Sequence, residues 1–394
     1  MLSIVKTAVV LFLLLTAVAY GVWLERKVVA HIQSRWGPYR VGPHGLLQPL
    51  ADGLKMFFKE DIIPSHVTSR FIFLLAPFLA VTLALLAIAV IPFGPGEIQV
   101  LGTRTGLHIA DINIGVLFLL AVTSLGVYSV ALAGWSSNSK YPLLGGLRSA
   151  AQMISYELAL TFSVIGVLLL AGTLSLREII HAQAGYWWGV VPRWYVLPQV
   201  AAFACFFISS VAETNRAPFD LPEAETELVA GFHAEYSSLK VTMFFIAEYA
   251  HIFTVSFLAS ILFLGGWLSP FPATGVWSLA RYLPVVVLGG LALYLWADIF
   301  RLHQRLHRFL VLALGLGLLG AAWLFTHPDL LALIQGPFWL LSKTALFVFV
   351  FIWTRATLPR FRYDQLMAFG WKFLLPLAIL NILATSFWVA WQGN

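Results

Sequence analysis

The chain has 394 residues, 60% of them hydrophobic and 11% charged, with a mean hydropathy of +0.86. Soluble domains carry roughly 25% charged residues, so a chain this poor in charge cannot coat a globule with polar surface, and lipid must be its solvent. The net charge of +6 is dispersed between apolar stretches, the pattern of membrane loops, which excludes a nucleic-acid binder.

A helix needs about 20 apolar residues to cross the hydrocarbon core, and helices are the default there because backbone groups must be satisfied internally. Ten spans are predicted: 5–24, 71–92, 113–134, 155–174, 194–212, 243–264, 282–298, 309–326, 337–354 and 373–391. The N-terminal segment has one lysine, Lys6, and no small-residue cleavage site after its apolar stretch, so it reads as a retained span. The seventh is the weakest, short and ended by Asp298. The fold expected is an all-α, polytopic transmembrane helical bundle forming one integral membrane domain over 1–394. Loops 25–70, 135–154, 213–242, 299–308 and 355–372 hold 18 of the 24 Lys and Arg side chains. By the positive-inside rule that side is cytoplasmic, and both termini face outward, to the periplasm.

Several stretches carry residues suited to chemistry. In loop 25–70, Arg35-Trp-Gly-Pro-Tyr-Arg-Val-Gly-Pro43 has two Gly-Pro steps that force turns and leave Arg35 and Arg40 near the interface. There they can bind lipid phosphates, pair with an acidic loop, contact a partner, or serve only as membrane-surface charge. From Leu46 to Phe58, Leu46, Leu47, Leu50, Leu54, Phe57 and Phe58 recur at helical spacing, with Asp52, Lys55, Lys59 and Glu60 mostly opposite. This predicts an amphipathic helix in the membrane interface, with Pro49 in its first turn. A helix packed on its own bundle with no ligand role has the same pattern.

The acidic run Glu213-Thr-Asn-Arg-Ala-Pro-Phe-Asp-Leu-Pro-Glu-Ala-Glu-Thr-Glu227 is broken by Pro218 and Pro222, and Glu235 and Glu248 follow it. Irregular backbone near a membrane is tolerated where protein buries it or it lines a wet cavity. Glu157, Glu213 and Glu248 fall within or at the ends of spans on the cytoplasmic half. Carboxylates at membrane depth are costly and usually mark ion paths or proton relays. Glu223, Glu225 and Glu227 can extend such a relay or form an exposed acidic loop. Lys343, central in its span, must find a carboxylate or shed its proton. The arginines of Arg355–Met367 directly follow a span, which the charge bias explains without function.

Three signals carry nothing. Gly315-Leu-Gly-Leu-Leu-Gly320 matches a dinucleotide fingerprint, but lies mid-span without the strand that loop needs. His303 and His307 share a helical face with no glutamate between them and no third ligand, so no metal site is expected. The lone Cys205 can form no internal disulfide and cannot hold an iron–sulfur cluster.

The segments Gly37–Pro43 with Leu46–Glu60, Ala212–Asp220 with Glu223–Tyr236, and Arg355–Met367 closely resemble the quinone-site family of membrane subunits of proton-pumping NADH:quinone oxidoreductase, respiratory complex I. In bacteria these are the H-type subunits, equivalent to mitochondrial NADH dehydrogenase subunit 1. Glu25-Arg-Lys27, Tyr156-Glu157 and Glu248-Tyr249 also fit, and the resemblance covers nearly the whole chain. It implies a subunit that joins the peripheral arm to the membrane arm, forms much of the quinone tunnel and couples quinone reduction to proton translocation. Quinone is then the substrate, and FMN and iron–sulfur clusters belong to partner subunits. The resemblance assigns Glu157, Glu213, Glu223, Glu225, Glu227 and Glu248 to a proton path. It assigns Arg26, Arg35, Asp52 and Arg216 to tunnel-lining or supporting positions. The departure is the segment 281–326, which reads as an inserted helical hairpin whose basic tip, Arg301 to Arg308, faces the cytoplasm. The alternatives are the membrane anchor of a homologous hydrogenase or formate-oxidising complex, a stand-alone ion transporter, and a structural anchor with no ligand. Of these, the transporter would be expected to show paired internal repeats, and none is seen.

Overall fold

Each long apolar run folds as helix, which satisfies its backbone donors and acceptors without water. The computed structural model describes residues 2–100, 103–220, 230–272, 274–299 and 305–392. In chain order the helices are α1 (Leu2–Ile32), α2 (Gln48–Phe58), α3 (Arg70–Ala87), α4 (Gly115–Ser136), α5 (Lys140–Ala171), α6 (Leu176–Ala182) and α7 (Val200–Glu213). They continue as α8 (Ser238–Leu264), α9 (Leu283–Ile299), α10 (Arg305–Leu324), α11 (Pro328–Thr357), α12 (Tyr363–Phe369) and α13 (Leu375–Gln392). A single π turn, Gly370–Leu374, joins the last two. Among the described residues nine helical spans are long and apolar enough to cross a membrane, and α7 is a shorter apolar helix. Two small antiparallel ribbons lie outside the helices, β1 (Glu97–Val100) with β2 (Thr103–Gly106) and β3 (Tyr186–Trp187) with β4 (Val191–Pro192).

Helix α7 departs from expectation. The span predicted over 194–212 begins only at Val200, because Pro198 lacks the N–H and would clash with the carbonyl four residues back. Its 14 residues rise about 21 Å, short of the roughly 30 Å hydrocarbon core. Protein rather than lipid surrounds it: α5, α8 and α13 pack on it, and Cys205, Phe206, Ser209 and Ser210 are buried. Phe203, Phe207, Phe263, Phe347 and Phe351 interlock their rings around its apolar side.

The loop expected at 135–154 is also corrected. Helix α5 starts at Lys140, leaving only the turn at 137–139 between it and α4. The added turns are lined by small residues, which a hydropathy window does not register. A Cβ on Gly134 would stand 2.6 Å from the Pro142 carbonyl oxygen, and one on Gly145 would stand 2.8 Å from the Gly231 backbone. Glycines there let α4, α5 and the 231 turn touch backbone to backbone.

Lys343 is held by backbone. Among the described residues it meets no carboxylate, and its Nζ lies within hydrogen-bond distance of the carbonyls of Leu264, Gly266 and Leu268, at 2.7, 2.9 and 2.7 Å, and 4.4 Å from the Trp194 ring centre. Those carbonyls are the unsatisfied acceptors past the C-terminus of α8, where a cation is favoured. In the 281–326 segment, α9 and α10 pack along each other. A Cβ on Gly315 would meet the Trp296 indole at 2.3 Å, so one glycine of the dismissed fingerprint serves helix packing.

An amphipathic helix forms as α2, beginning at Gln48, two residues into the expected 46–58. None of its residues is buried, and Leu50, Leu54, Phe57 and Phe58 are 52–80% exposed. It rests on α1 and α8. The loops expected on the cytoplasmic side gather at this end: Lys240 pairs with Asp61, Asn138 donates to the His66 carbonyl, and Phe361 donates to the Pro218 carbonyl.

Candidate functional site

The site is built by the segment after α7. Gln152 of α5, fully buried, donates its amide to the carbonyls of Ala212 and Phe219, both at 2.8 Å, and to Asn215 Oδ1 at 3.3 Å. Asn215 in turn donates to Ser149 Oγ at 3.1 Å. Its φ of +50° is a left-handed conformation that asparagine accepts more readily than most residues. These bonds fold 212–220 back into the bundle, where every residue is buried. The irregular backbone expected there is thus enclosed by protein.

That fold aims Arg216 at three acidic or aromatic partners. Its Nε lies 2.7 Å from Glu248 Oε1 of α8, its Nη1 lies 3.4 Å from Glu25 Oε2 of α1, and its guanidinium stands 4.4 Å over the Tyr249 ring. Glu25 also pairs closely with Arg355 and accepts from the Tyr249 hydroxyl at 2.7 Å. The Arg216 side chain is 7% exposed, and a charge so buried must be paired. Further along, Asp220 pairs with Arg360 at 2.9 Å. Burial lifts the Asp220 carboxyl above its ordinary value, against the pull of Arg360, Arg355 and Arg216.

On the inner side of this knot lies a cavity of about 100 Å³ bounded by α3, α4, α5 and α8. Its polar lining includes Glu213, Asn215, His233, Glu248 and His251. His251 Nε2 is 3.3 Å from Glu213 Oε1. Glu157 of α5 accepts from Ser124 of α4 and sits within electrostatic range of both Glu213 and His251. Burial holds the His233 imidazole below its ordinary value, with Glu248 and Asp220 acting in the opposite sense. A cavity of this volume admits several waters, each needing roughly 10–15 Å³ of such space, and its polar partners suit them.

The structure therefore brings together Glu157, Glu213, Arg216 and Glu248. Arg26 and Asp52 form a separate pair at 2.6 Å that ties α1 to α2, with Gln48 donating to Asp52 at 2.8 Å. Arg35 joins neither group, being exposed and bonded to Gln33 at 2.7 Å. Glu223, Glu225 and Glu227 lie outside the described residues. Sequence reasoning gave no role to Glu25, Tyr249, Arg355, His233 or His251. One signal was present, since Glu248 and His251 stand three apart and share a helix face. Glu25 stood in a quoted motif, Glu25-Arg-Lys27, but its partners lie 191, 224 and 330 positions away and no spacing joins them.

Carboxylates and imidazoles around a cavity with room for water, with an arginine between Glu248 and Glu25, can take up, hold and pass protons. Comparisons agree with the motifs. The NADH dehydrogenase family profile matches residues 5–386. An H-type subunit of NADH-quinone oxidoreductase from Solibacter usitatus is 53% identical over 394 residues, covering 99% of this chain and 97% of that protein. One from Koribacter versatilis is 50% identical over 402 residues, covering 99% and 97%. Another, from Geobacter sulfurreducens, is 44% identical over 401 residues, covering 99% and 95%. With the profile spanning almost the entire chain and such relatives matched end to end, this protein belongs to the NADH dehydrogenase family that contains the H-type subunits of NADH-quinone oxidoreductase.

Proposed function

We propose that this chain is the membrane-arm subunit of an NADH:quinone oxidoreductase that receives quinone and couples its reduction to proton translocation. The observation that carries the reading is the cavity between Glu213 and Glu248, joined by Arg216 to Glu25 beside the α1–α2 corner. An isoprenoid tail is apolar and crosses the aqueous headgroup zone only at high cost. Helix α2 rests on α1 and leaves Leu50, Leu54, Phe57 and Phe58 exposed, which gives the tail a route at membrane depth. Arg26 and Asp52 hold that corner together. Cytoplasmic placement of this end, in the cell inner membrane, follows from its share of the basic residues.

Placing two electrons on a bound quinone adds negative charge in a medium of low dielectric, and protonation of neighbouring groups becomes more favourable. Arg216 transmits the change, because it is shared by Glu25 and Glu248. Glu248, His251, Glu213 and Glu157 then shift protons through cavity water, with Glu223, Glu225 and Glu227 feeding the same path. Electrons arrive from FMN and iron–sulfur clusters on partner subunits, to which this end of the bundle docks.

The test is Glu213→Gln and Glu248→Gln in the assembled complex. Glutamine keeps size and most hydrogen bonding but cannot carry the proton. Quinone-dependent NADH oxidation and proton pumping should both fall at least tenfold, while electron transfer to ferricyanide, upstream of quinone, persists. Variants that assemble and pump at the normal rate would remove these carboxylates from the path.

A further inference from the structure

Among the described residues the α9–α10 hairpin touches the rest of the molecule at few places, and one of them is chemically specific. Asp298, in the last turn of α9, pairs closely with His44 Nε2 in the loop before α2. The two positions are 254 apart in sequence, and the side chains are 37% and 14% exposed for His44 and Asp298. A carboxylate at the end of a span is costly unless paired.

The loop around His44 is wound tightly to present that ring. Gly42, His44 and Gly45 all have left-handed backbone, with φ of +74°, +53° and +78°. A Cβ on Gly45 would sit 2.3 Å from the Pro38 carbonyl oxygen, so the turn closes only with glycine there. The Leu46 amide donates to Pro43 and the Leu47 amide to Val41, so His44 is fastened to the start of α2 at Gln48. On its other side the His44 ring packs edge-on to Tyr39 at 5.6 Å, and Tyr39 lies 5.7 Å under the Lys27 ammonium of α1. The imidazole therefore stands where the hairpin, α1 and the first turn of α2 meet. A non-glycine residue held in left-handed backbone is sparsely populated and persists where surroundings over-determine it.

We propose that Asp298 and His44 are positioning residues for quinone access. Through this pair the hairpin fixes the N-terminal end of α2 against α1 and sets the width of the opening along which the apolar tail slides. The inference rests on the quinone reading above. A long tail must use the whole α1–α2 flank, whereas a short-chain, water-soluble analogue does not. Losing the pair therefore costs the long substrate selectively.

The experiment measures kcat and KM of the assembled complex with a long-chain isoprenoid quinone in proteoliposomes and with a short-chain analogue. The variants are Asp298→Asn, His44→Asn and the transposed pair His44→Asp with Asp298→His. Asparagine and aspartate both tolerate left-handed backbone at position 44. Each single variant should raise KM for the long quinone about fivefold, equivalent to roughly 1 kcal/mol, leaving kcat and the short-chain kinetics in place. The transposed pair should restore the ratio because it re-forms the contact, and the selectivity for the long quinone is what a merely structural role would not produce. Equal effects on both quinones, no effect on either, or a transposed pair that stays impaired would overturn the proposal. If a single variant fails to assemble, the transposed pair decides: assembly with a normal ratio supports it, and anything else sinks it. A wild-type complex that reduces neither quinone would instead overturn the quinone reading itself.

Discussion

Replacing Lys343 by methionine tests how the helix that carries Glu248, Tyr249 and His251 is held. Methionine matches lysine in length and fills the same space, but brings no donor to the carbonyls of Leu264, Gly266 and Leu268. A hydrogen bond to a charged group contributes about 1.5–3 kcal/mol, so three simple additions would reach roughly 5 kcal/mol or more. They share one ammonium that had to be stripped of water at a cost of several kcal/mol, which offsets much of the sum. What the variant leaves behind is up to three carbonyls without their donor, in a site where lysine is 7% exposed. The net loss works out at about 3 kcal/mol, or roughly 150-fold in an equilibrium. A complex of many chains unfolds irreversibly, so the assay is the half-life of quinone-linked activity at fixed elevated temperature. Lys343→Met should shorten it by at least tenfold, up to about a hundredfold. Lys343→Arg, whose flat fork cannot meet three converging carbonyls, should fall between. A Met variant with the wild-type half-life would refute the idea that this ammonium fastens the end of α8.

Arg216→Lys keeps the charge but gives a point donor in place of a fork, so it cannot hold Glu248 and Glu25 together; quinone reductase activity should fall about tenfold with ferricyanide reduction intact. His233 resists protonation in the folded chain, so the unfolded chain binds its proton first as pH falls below the ordinary value of 6.5. Stability of the complex should therefore decline on acidification through that value until the folded imidazole also titrates, and His233→Gln should flatten this part of a thermal-inactivation profile against pH. The native Cys205 is buried, which leaves topology open to introduced thiols. In membrane vesicles of known polarity, an impermeant maleimide should label Trp188→Cys from the periplasmic side and Trp36→Cys only from the cytoplasmic side; the reverse would invert the orientation.

The bundle was legible because lipid imposes one rule on every span, and a hydropathy window reads that rule directly. It failed where protein replaces lipid as the neighbour. Helix α7 needs no full-length apolar stretch, and the first turns of α5 pack through Gly145, Gly146 and Ser149 without hydrophobicity. The acids of the site were legible because charge within a span is rare. Their partners were not, since Arg355 reaching Glu25 and Arg360 reaching Asp220 depend on how distant loops fold together. Lys343 was recognised as a problem in the sequence, but its solution lay in backbone carbonyls, which no residue type announces. The small ribbons were missed because each strand has only two to four residues.

The shortness of α7 bears on how the protein is made. A segment that rises about 21 Å and ends in a carboxylate has little tendency to settle in a bilayer by itself. Of the neighbours that enclose it, α5 precedes it in synthesis, but α8 and α13 follow. During translation this crossing must therefore wait, held against α5 or at the insertion machinery, until later segments arrive to cover it. Biogenesis of the chain cannot run span by span, and a chain truncated after residue 213 and released from the ribosome should be a membrane intermediate vulnerable to quality-control proteolysis.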